Sequence, residues 1–113
     1  MWLRVMSDGK DRPMTTAPSE TAAYEVRDNP EMQRYELLAG DRLIGTADYR
    51  RRGDVMTFPH TVIEPELRGK GLGAVLVRGA LDDVRRQGLR IVAQCWFVAE
   101  FVDLFPEYRD LLG

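Results

Sequence analysis

The periodicity of the apolar residues changes at Pro65, and this change constrains the fold more than any other feature of the chain. Before Pro65, four segments either alternate or are rich in β-branched and aromatic residues, as strands are: AYEVRD, RYELLAG, RLIGTADYR and VMTFPHTVIE. From Gly71 onwards the apolar residues follow helical spacing, and Gly88 stands where a helix C-terminal cap is expected. The sequence therefore predicts strands that are followed by one helix.

Turn signals separate the predicted strands. DNPEM lies between the first two strands, Gly40-Asp41 between the second and third, and RRRGD before the fourth. Connections this short join antiparallel neighbours. The four strands are therefore predicted to form an antiparallel meander.

The region after the predicted helix is apolar and short. RIVAQCWF is a nearly continuous apolar run, typical of a strand that is buried on both faces, while VAEFVDLF and PEYRDLL indicate short helical turns. The strands on either side of the helix should be parallel, because the helix forms a crossover between them. The predicted fold class is α+β (mixed α/β): an antiparallel meander followed by a β-α-β crossover, with a mixed sheet and short C-terminal helices.

Composition indicates one small domain. The chain has 113 residues, 44% of them hydrophobic, and residues 1–22 show no periodicity, so we expect a flexible leader at 1–22 and one domain at 23–113. The 16 basic and 18 acidic side chains nearly cancel, which argues against nucleic acid as a partner. The sequence has no membrane-length apolar run and no signal core, and it has one cysteine and one histidine. We therefore expect a cytoplasmic protein, a monomer or weak dimer, without a metal site.

The loop from Arg68 to Gly73 places three glycines and two cations immediately before the predicted helix. The first N–H groups of a helix have no backbone partners, and the helix dipole adds about half a positive charge there. Gly69, Gly71 and Gly73 would let an anion approach the backbone, while Arg68 and Lys70 add full charges. We interpret the loop as a pyrophosphate-binding site rather than as a structural turn alone.

Three phosphate-binding motifs compete for this stretch. A Walker loop requires Gly-Lys-Ser/Thr after its spacer, which is absent here. A dinucleotide fingerprint, G-x-G-x-x-G/A, fits formally as Gly69, Gly71 and Ala74, but it belongs to the first turn of a doubly wound parallel fold. The acyl-CoA loop, R/Q-x-x-G-x-G/A, matches Arg68 to Gly73 and also agrees with the predicted architecture.

Together these features resemble the GNAT superfamily of acetyl-CoA-dependent N-acetyltransferases, and in particular its short single-domain branch. The resemblance covers about residues 24–112 and rests on HTVIEPELRGKGLGAVLVRGAL, on a cysteine at the end of the next strand, and on FPEYRDLL. It implies a sheet that splays after the fourth strand, with acetyl-CoA in the opening. The backbone of Ile63 would pair with the pantetheine arm. The pyrophosphate would be held by Arg68, Gly69, Lys70, Gly71, Leu72, Gly73 and Ala74.

The chain departs from this branch at two positions. Ala93 stands where a proline is common, two positions before the cysteine. Phe101 stands where a tyrosine is common, so a phenol that would protonate the CoA thiolate is missing there. Tyr108 lies nearby in sequence and also carries a phenol. The alternative to a role in protonating the thiolate is that Tyr108 only packs the C-terminus.

Cys95, His60 and Glu64 are the candidate catalytic residues. Cys95 and His60 lie on the two strands that would flank the acetyl-CoA, and His60 would deprotonate the incoming amine or the Cys95 thiol. Glu64 would position a water as a base. Each has a structural alternative, because an unpaired cysteine in an apolar strand is often a core residue and a lone histidine or strand-end glutamate is often solvated.

The resemblance implies an enzyme, an acetyl-CoA-dependent N-acetyltransferase that acts on an unidentified amine of a small molecule or a protein. An acyl-CoA-binding module with little or no turnover is the alternative, and the small size of the chain favours it. A third hypothesis is nucleic-acid or partner binding through Arg50 to Arg52, but a charge run at a hairpin tip is usually only solvated.

Overall fold

The computed structural model describes residues 24–113, and the leader predicted at residues 1–22 lies outside the described residues. In the described part, five strands form one sheet: β1 (Tyr24–Asn29), β2 (Arg34–Ala39), β3 (Arg42–Arg52), β4 (Val55–Ile63) and β5 (Arg90–Ala93). The strands lie in chain order, with antiparallel pairing from β1 to β4 and parallel pairing of β4 with β5. The predicted meander and mixed sheet are confirmed.

The helical elements of residues 24–113 are two α-helices and two short 3-10 helices: Pro65–Leu67, α1 (Leu72–Arg86), α2 (Trp96–Leu104) and Pro106–Leu111. α1 forms the crossover between β4 and β5, as predicted. Gly88 follows the end of α1 with a φ of +71°, which is the left-handed conformation expected of a glycine after a helix. The short C-terminal helices predicted from the sequence are also confirmed.

The hydrophobic core lies on one face of the sheet. Tyr35 and Leu37 of β2 and Phe58 of β4 join residues of both α-helices and of the last 3-10 helix in a single buried cluster. We call this side of the sheet the core face. Because side chains alternate along a strand, residues such as Arg34 and Asp48 lie on the opposite side, the outer face.

A hydrogen-bond network ties α1 to β2. The Tyr35 hydroxyl donates to Asp83 Oδ2 at 2.7 Å, and Gln87 and Arg86 donate to the same carboxylate at 2.6 and 3.1 Å. Burial raises the pKa of Asp83, but these hydrogen bonds outweigh burial and hold the pKa below its usual value of 3.8. Burial, together with the bond to Asp83, raises the pKa of Tyr35. The network therefore joins a charged carboxylate to a neutral phenol.

β5 is shorter than the sequence predicted. The apolar run RIVAQCWF indicated a strand buried on both faces, but β5 ends at Ala93 and Cys95 is the N-cap residue of α2. β5 also lies at the edge of the sheet, where Val92 is 41% exposed. The prediction failed because a strand followed at once by an apolar helix gives the same unbroken run as a longer buried strand.

A β-bulge in β4 determines which side chains face the core after it. Asp48 pairs with His60 and Arg50 pairs with Thr57, so Phe58 and Pro59 together lie opposite Tyr49. A bulge tolerates proline, which has no N–H to donate to the ladder. Because the extra residue shifts the alternation, Thr61 lies on the core face and His60 on the outer face.

Candidate functional site

β4 and β5 separate after a short stretch of pairing. Their last pair is Phe58 with Ala93, and the Cys95 N–H then donates to the Phe58 carbonyl at 2.8 Å as the chain enters α2. The β4 edge from Pro59 to Ile63 therefore has no β5 residue beside it. This is the splayed sheet that the resemblance implied.

A cleft of about 880 Å³ opens at this separation, within the usual size range of ligand pockets. Its walls are the free edge of β4, the loop after β4, the first turn of α1, and α2. Nine of the eleven residues predicted for the site line it: His60, Ile63, Arg68, Gly69, Gly71, Leu72, Gly73, Ala74 and Cys95. Glu64 and Lys70 are not among the lining residues.

The first turn of α1 leaves backbone N–H groups free at one end of the cleft. The first bond within the helix runs from the Val75 N–H to the Gly71 carbonyl, so the N–H groups of residues 72–74 have no partner inside the helix. Gly69 and Gly71 have φ values of +83° and +77°, which favour glycine. With the helix dipole and the Arg68 guanidinium, these N–H groups make this end of the cleft positive.

Gly73 has a packing role that the sequence did not indicate. A Cβ atom at Gly73 would lie 2.7 Å from Cζ of Phe97, whereas nothing lies within 4 Å of a Cβ at Gly69 or Gly71. Gly73 therefore allows α2 to approach the first turn of α1. The loop conformation requires the other two glycines.

The backbone of Ile63 faces the cleft. The carbonyl of Ile63 accepts a hydrogen bond from Arg68 Nε at 3.2 Å, while the N–H of the next residue, Glu64, donates to Ile44 of β3 at 3.0 Å. Successive backbone groups of a strand point in opposite directions. The polar groups of Ile63 thus point away from β3 and towards the loop.

Cys95 belongs both to the cleft wall and to the core. It is only 6% exposed, and its Sγ lies 3.8 Å from Thr61 Oγ1. It is also a member of the buried cluster. Cys95 is therefore at once a core residue and a residue of the cleft wall, so its position fits both interpretations made from the sequence.

His60 and Glu64 have charged partners on neighbouring elements. His60 Nε2 lies 2.7 Å from Asp48 Oδ2, so the structure joins His60 to Asp48 and not to Cys95. Glu64 forms an ion pair with Arg42, which also lies 3.1 Å from Glu66. The structure thus brings Cys95 and His60 to one cleft and directs Glu64 to a surface ion pair.

Residues 34–111 match the family model described as GCN5-related N-acetyl-transferase. The match covers more than half of the chain and includes every residue that lines the cleft. The chain belongs to the GCN5-related N-acetyltransferase family. The predicted family is confirmed, and membership implies acyl transfer from acetyl-CoA.

Two individual proteins resemble this chain. Protein NATD1 of Bos taurus is 32% identical to this chain over 60 residues. The matched stretch covers 51% of this chain and 53% of NATD1, so the chain spans about half the length of that relative. The NMR solution structure of a GCN5-like protein from Staphylococcus aureus superposes with a TM-score of 0.61, covering 81% of this chain and 90% of that one. Its sequence identity is 20%, so this likeness concerns the fold alone.

Tyr108, the tyrosine nearest in sequence to Phe101, has its hydroxyl engaged by other side chains. The Tyr108 hydroxyl donates to Asp82 at 2.7 Å and accepts a bond from Arg78 at 3.2 Å. Burial, and after it the bond to Asp82, raises the pKa of Tyr108. Phe101 lines the cleft and Tyr108 does not.

Sequence reasoning missed the contribution of α2 to the cleft. Trp96, Glu100 and Leu104 are spaced four residues apart along one side of α2, and all three line the cleft. Trp96 is 73% exposed and Leu104 is 68% exposed. The helical spacing was visible in the sequence, but the interpretation of RIVAQCWF as a strand concealed its first turn.

None of the helices in residues 24–113 is long and apolar enough to cross a membrane. The same part of the chain contains no group of three or more histidine, cysteine or acidic side chains that could hold a metal ion.

Proposed function

We propose that this protein transfers the acetyl group of acetyl-CoA to an amine. The observation that carries the proposal is the junction of the α1 N-terminus with the opening between β4 and β5. One cleft there combines an anion-binding end with an exposed strand edge. A coenzyme A ester has two matching parts, a pyrophosphate and an arm that contains amides.

The described residues fit both parts. The N–H groups of residues 72–74 and the Arg68 guanidinium would hold the pyrophosphate, with Lys70 adding charge from outside the cleft wall. The backbone groups of Ile63 would pair with an amide of the pantetheine arm, since they lie on a strand edge without a neighbour. The thioester would then lie towards Cys95 and Thr61, where the two strands separate.

Bound acetyl-CoA would supply an activated acyl group. The nitrogen of a neutral amine forms a bond to the thioester carbonyl carbon, the C–S bond breaks, and the proton lost by nitrogen is balanced by the one that the thiolate gains. We assign the removal of that proton to His60, which borders the cleft. Glu64 is a weaker candidate because Arg42 engages its carboxylate.

The first test is the binding of CoA by calorimetry. Gly71→Asp should weaken binding more than tenfold, about 1.4 kcal/mol or more, because it adds a side chain and a negative charge beside the free N–H groups. Gly53→Asp is the matched control: Gly53 also has a positive φ, +62°, with open space around it, but it lies in the β3–β4 turn. Equal affinities of the two variants would refute the assignment of the loop.

A second candidate function is CoA binding with little or no turnover. The observation that favours it is the engagement of the Tyr108 hydroxyl by Asp82 and Arg78, with Phe101 at the cleft wall. No tyrosine is therefore among the cleft-lining residues of the described chain. A screen of candidate amines for acetyl-CoA-dependent release of free thiol separates the two functions, since a binding module would release none above the background rate.

A further inference from the structure

Asp48 lies directly opposite His60 on the outer face of the sheet. The two residues are partners in the register of β3 and β4, and His60 Nε2 lies 2.7 Å from Asp48 Oδ2. Their side chains are 61% and 37% exposed, respectively. The contact is therefore a cross-strand pair at the surface and does not belong to the core.

The β4 bulge and the end of β5 bring this pair to the cleft. Phe58 is the last β4 residue that pairs with β5, and His60 follows it by two residues on the free edge. The bulge at Phe58 and Pro59 directs Thr61 to the core face and leaves His60 on the outer face. The cleft thus has the Thr61 side chain on one side of the strand and His60 on the other.

The basic side chain next to Asp48 on β2 has another partner, so it does not compete with His60 for the Asp48 carboxylate. Arg34 is the register partner of Asp48 on β2, but Arg34 Nε lies 2.9 Å from Glu36 Oε2 instead. Within residues 24–113, the ion-pair partner of the Asp48 carboxylate is His60. A carboxylate beside one imidazole nitrogen favours the proton on that nitrogen and leaves the other nitrogen as the acceptor.

We propose that Asp48 is a positioning residue for His60. The Asp48 carboxylate lies beside Nε2, where its negative charge favours the proton on that nitrogen, so that the neutral imidazole presents Nδ1 to take the proton of the acceptor amine. That proton then passes from Nδ1 to the CoA thiolate, so protons balance over the transfer. The role of His60 towards the amine rests on the proposed function, whereas the contact with Asp48 that positions it does not.

The effect of Asp48 on the His60 tautomer is tested by NMR on the full chain with ¹⁵N-labelled histidine. His60 is the single histidine of the sequence, so the imidazole signals need no assignment. A free neutral imidazole already favours the proton on Nε2, so we expect that preference to be stronger in the wild-type protein than in free histidine, and Asp48→Ala to return the ratio to the free-histidine value. Glu25→Gln is the matched control, because Glu25 is an outer-face carboxylate that pairs with Arg27 at 3.2 Å. The same tautomer ratio in the wild-type protein and in Asp48→Ala would overturn the proposal.

The positioning role is tested by kinetics with an acceptor found in the thiol-release screen. Asp48→Ala should lower kcat about 10- to 100-fold with little change in KM, since a positioned base contributes about 100-fold or more. The same substitution in a His60→Gln background should cost nothing further, because the two residues act as one unit. An Asp48→Ala variant with full kcat, or a full additional loss in the His60→Gln background, would refute positioning.

The fold and the CoA site are monitored separately in these variants. An exposed ion pair contributes little to stability, so Asp48→Ala should melt near the wild-type temperature, and Asp48→Asn provides a second variant of similar shape. CoA affinity measured by calorimetry should not change in either. Loss of CoA binding in the wild-type protein would end the proposed function, while the NMR result would still decide whether Asp48 positions His60.

Discussion

At the scale of single residues, Cys95 shows why a residue type alone does not assign a role. The sequence predicted that it lies at the reactive end of the acetyl-CoA site, and the structure places it in the cleft wall while burying it in the core. The contact of its Sγ is with Thr61, and the imidazole of His60 is directed to Asp48. No described base therefore stands beside the thiol to activate it, and direct attack by the amine needs no thiolate.

We predict that Cys95→Ala keeps CoA affinity and loses less than about 100-fold in rate, near 2.7 kcal/mol of barrier. The variant removes one small buried atom and leaves the loop and Ile63 unchanged. Intact-mass spectrometry after mixing with acetyl-CoA checks the mechanism, because Cys95 is the single cysteine of the chain. Rapid acetylation of Cys95, with discharge to an added amine at the rate of turnover, would establish a covalent route and contradict this prediction.

At the scale of elements, close approaches of backbone determine how α1 and α2 are placed. Gly73 allows Phe97 of α2 to contact α1, and Gly79 allows α1 to lie on β1. A Cβ at Gly79 would lie 2.6 Å from both Cβ and Cγ2 of Val26. The first turn of α1 carries the free N–H groups that line the cleft. The packing of α1 on the sheet therefore also fixes the position of that end of the cleft.

Gly79→Ala tests this packing. Helix propensity alone would favour alanine by about 1 kcal/mol, but the contact with Val26 should cost about 1–3 kcal/mol of overpacking, so we expect a lower free energy of unfolding in urea. The cost should shrink in a Val26→Ala background, because two of the three nearest atoms are the Val26 methyl groups. A stabilised Gly79→Ala protein would show that α1 does not lie so close to β1.

At the scale of the whole molecule, buried carboxylates link stability to pH. Three hydrogen bonds lower the pKa of Asp83 despite its burial, and the bond from Asn29, together with one from Arg34, lowers the pKa of Glu36. Both groups have a lower pKa in the folded protein than in the unfolded chain. Their contribution to stability is therefore complete above the unfolded pKa and is lost as the pH falls through the folded value.

We expect the melting temperature to decrease once the pH is lowered under about 4, and protonation of Asp83 to be one cause. Asp83→Asn should lower the melting temperature at neutral pH, and its difference from the wild-type protein should narrow as acid protonates the carboxylate. Asp103→Asn is the control, because Asp103 is an exposed aspartate on α2. A difference between Asp83→Asn and wild type that stays constant down to pH 2 would contradict the assignment.

Much of the fold was predictable from the sequence because local signals agreed with one another. Alternation and turn residues predicted the meander, and the helical spacing after Gly71 predicted α1. The glycines and cations from Arg68 to Gly73 predicted an anion site, and the structure places most of this loop in the cleft wall, while anion binding itself stays a prediction. In these segments the information is contained in neighbouring residues, where period and turn chemistry act directly on the backbone.

The tertiary structure alone determined which distant residues meet. No local pattern indicated that Gly79 contacts Val26 or that Arg42 engages Glu64, because such contacts depend on how the elements pack. The end of β5 at Ala93 was hidden inside one apolar run. The pairing of His60 with Asp48 depends on a bulge that places two residues opposite one, and a shift of one residue moves every later side chain to the other face. Sequence periodicity therefore determined the elements and the loop, and register and packing determined the site.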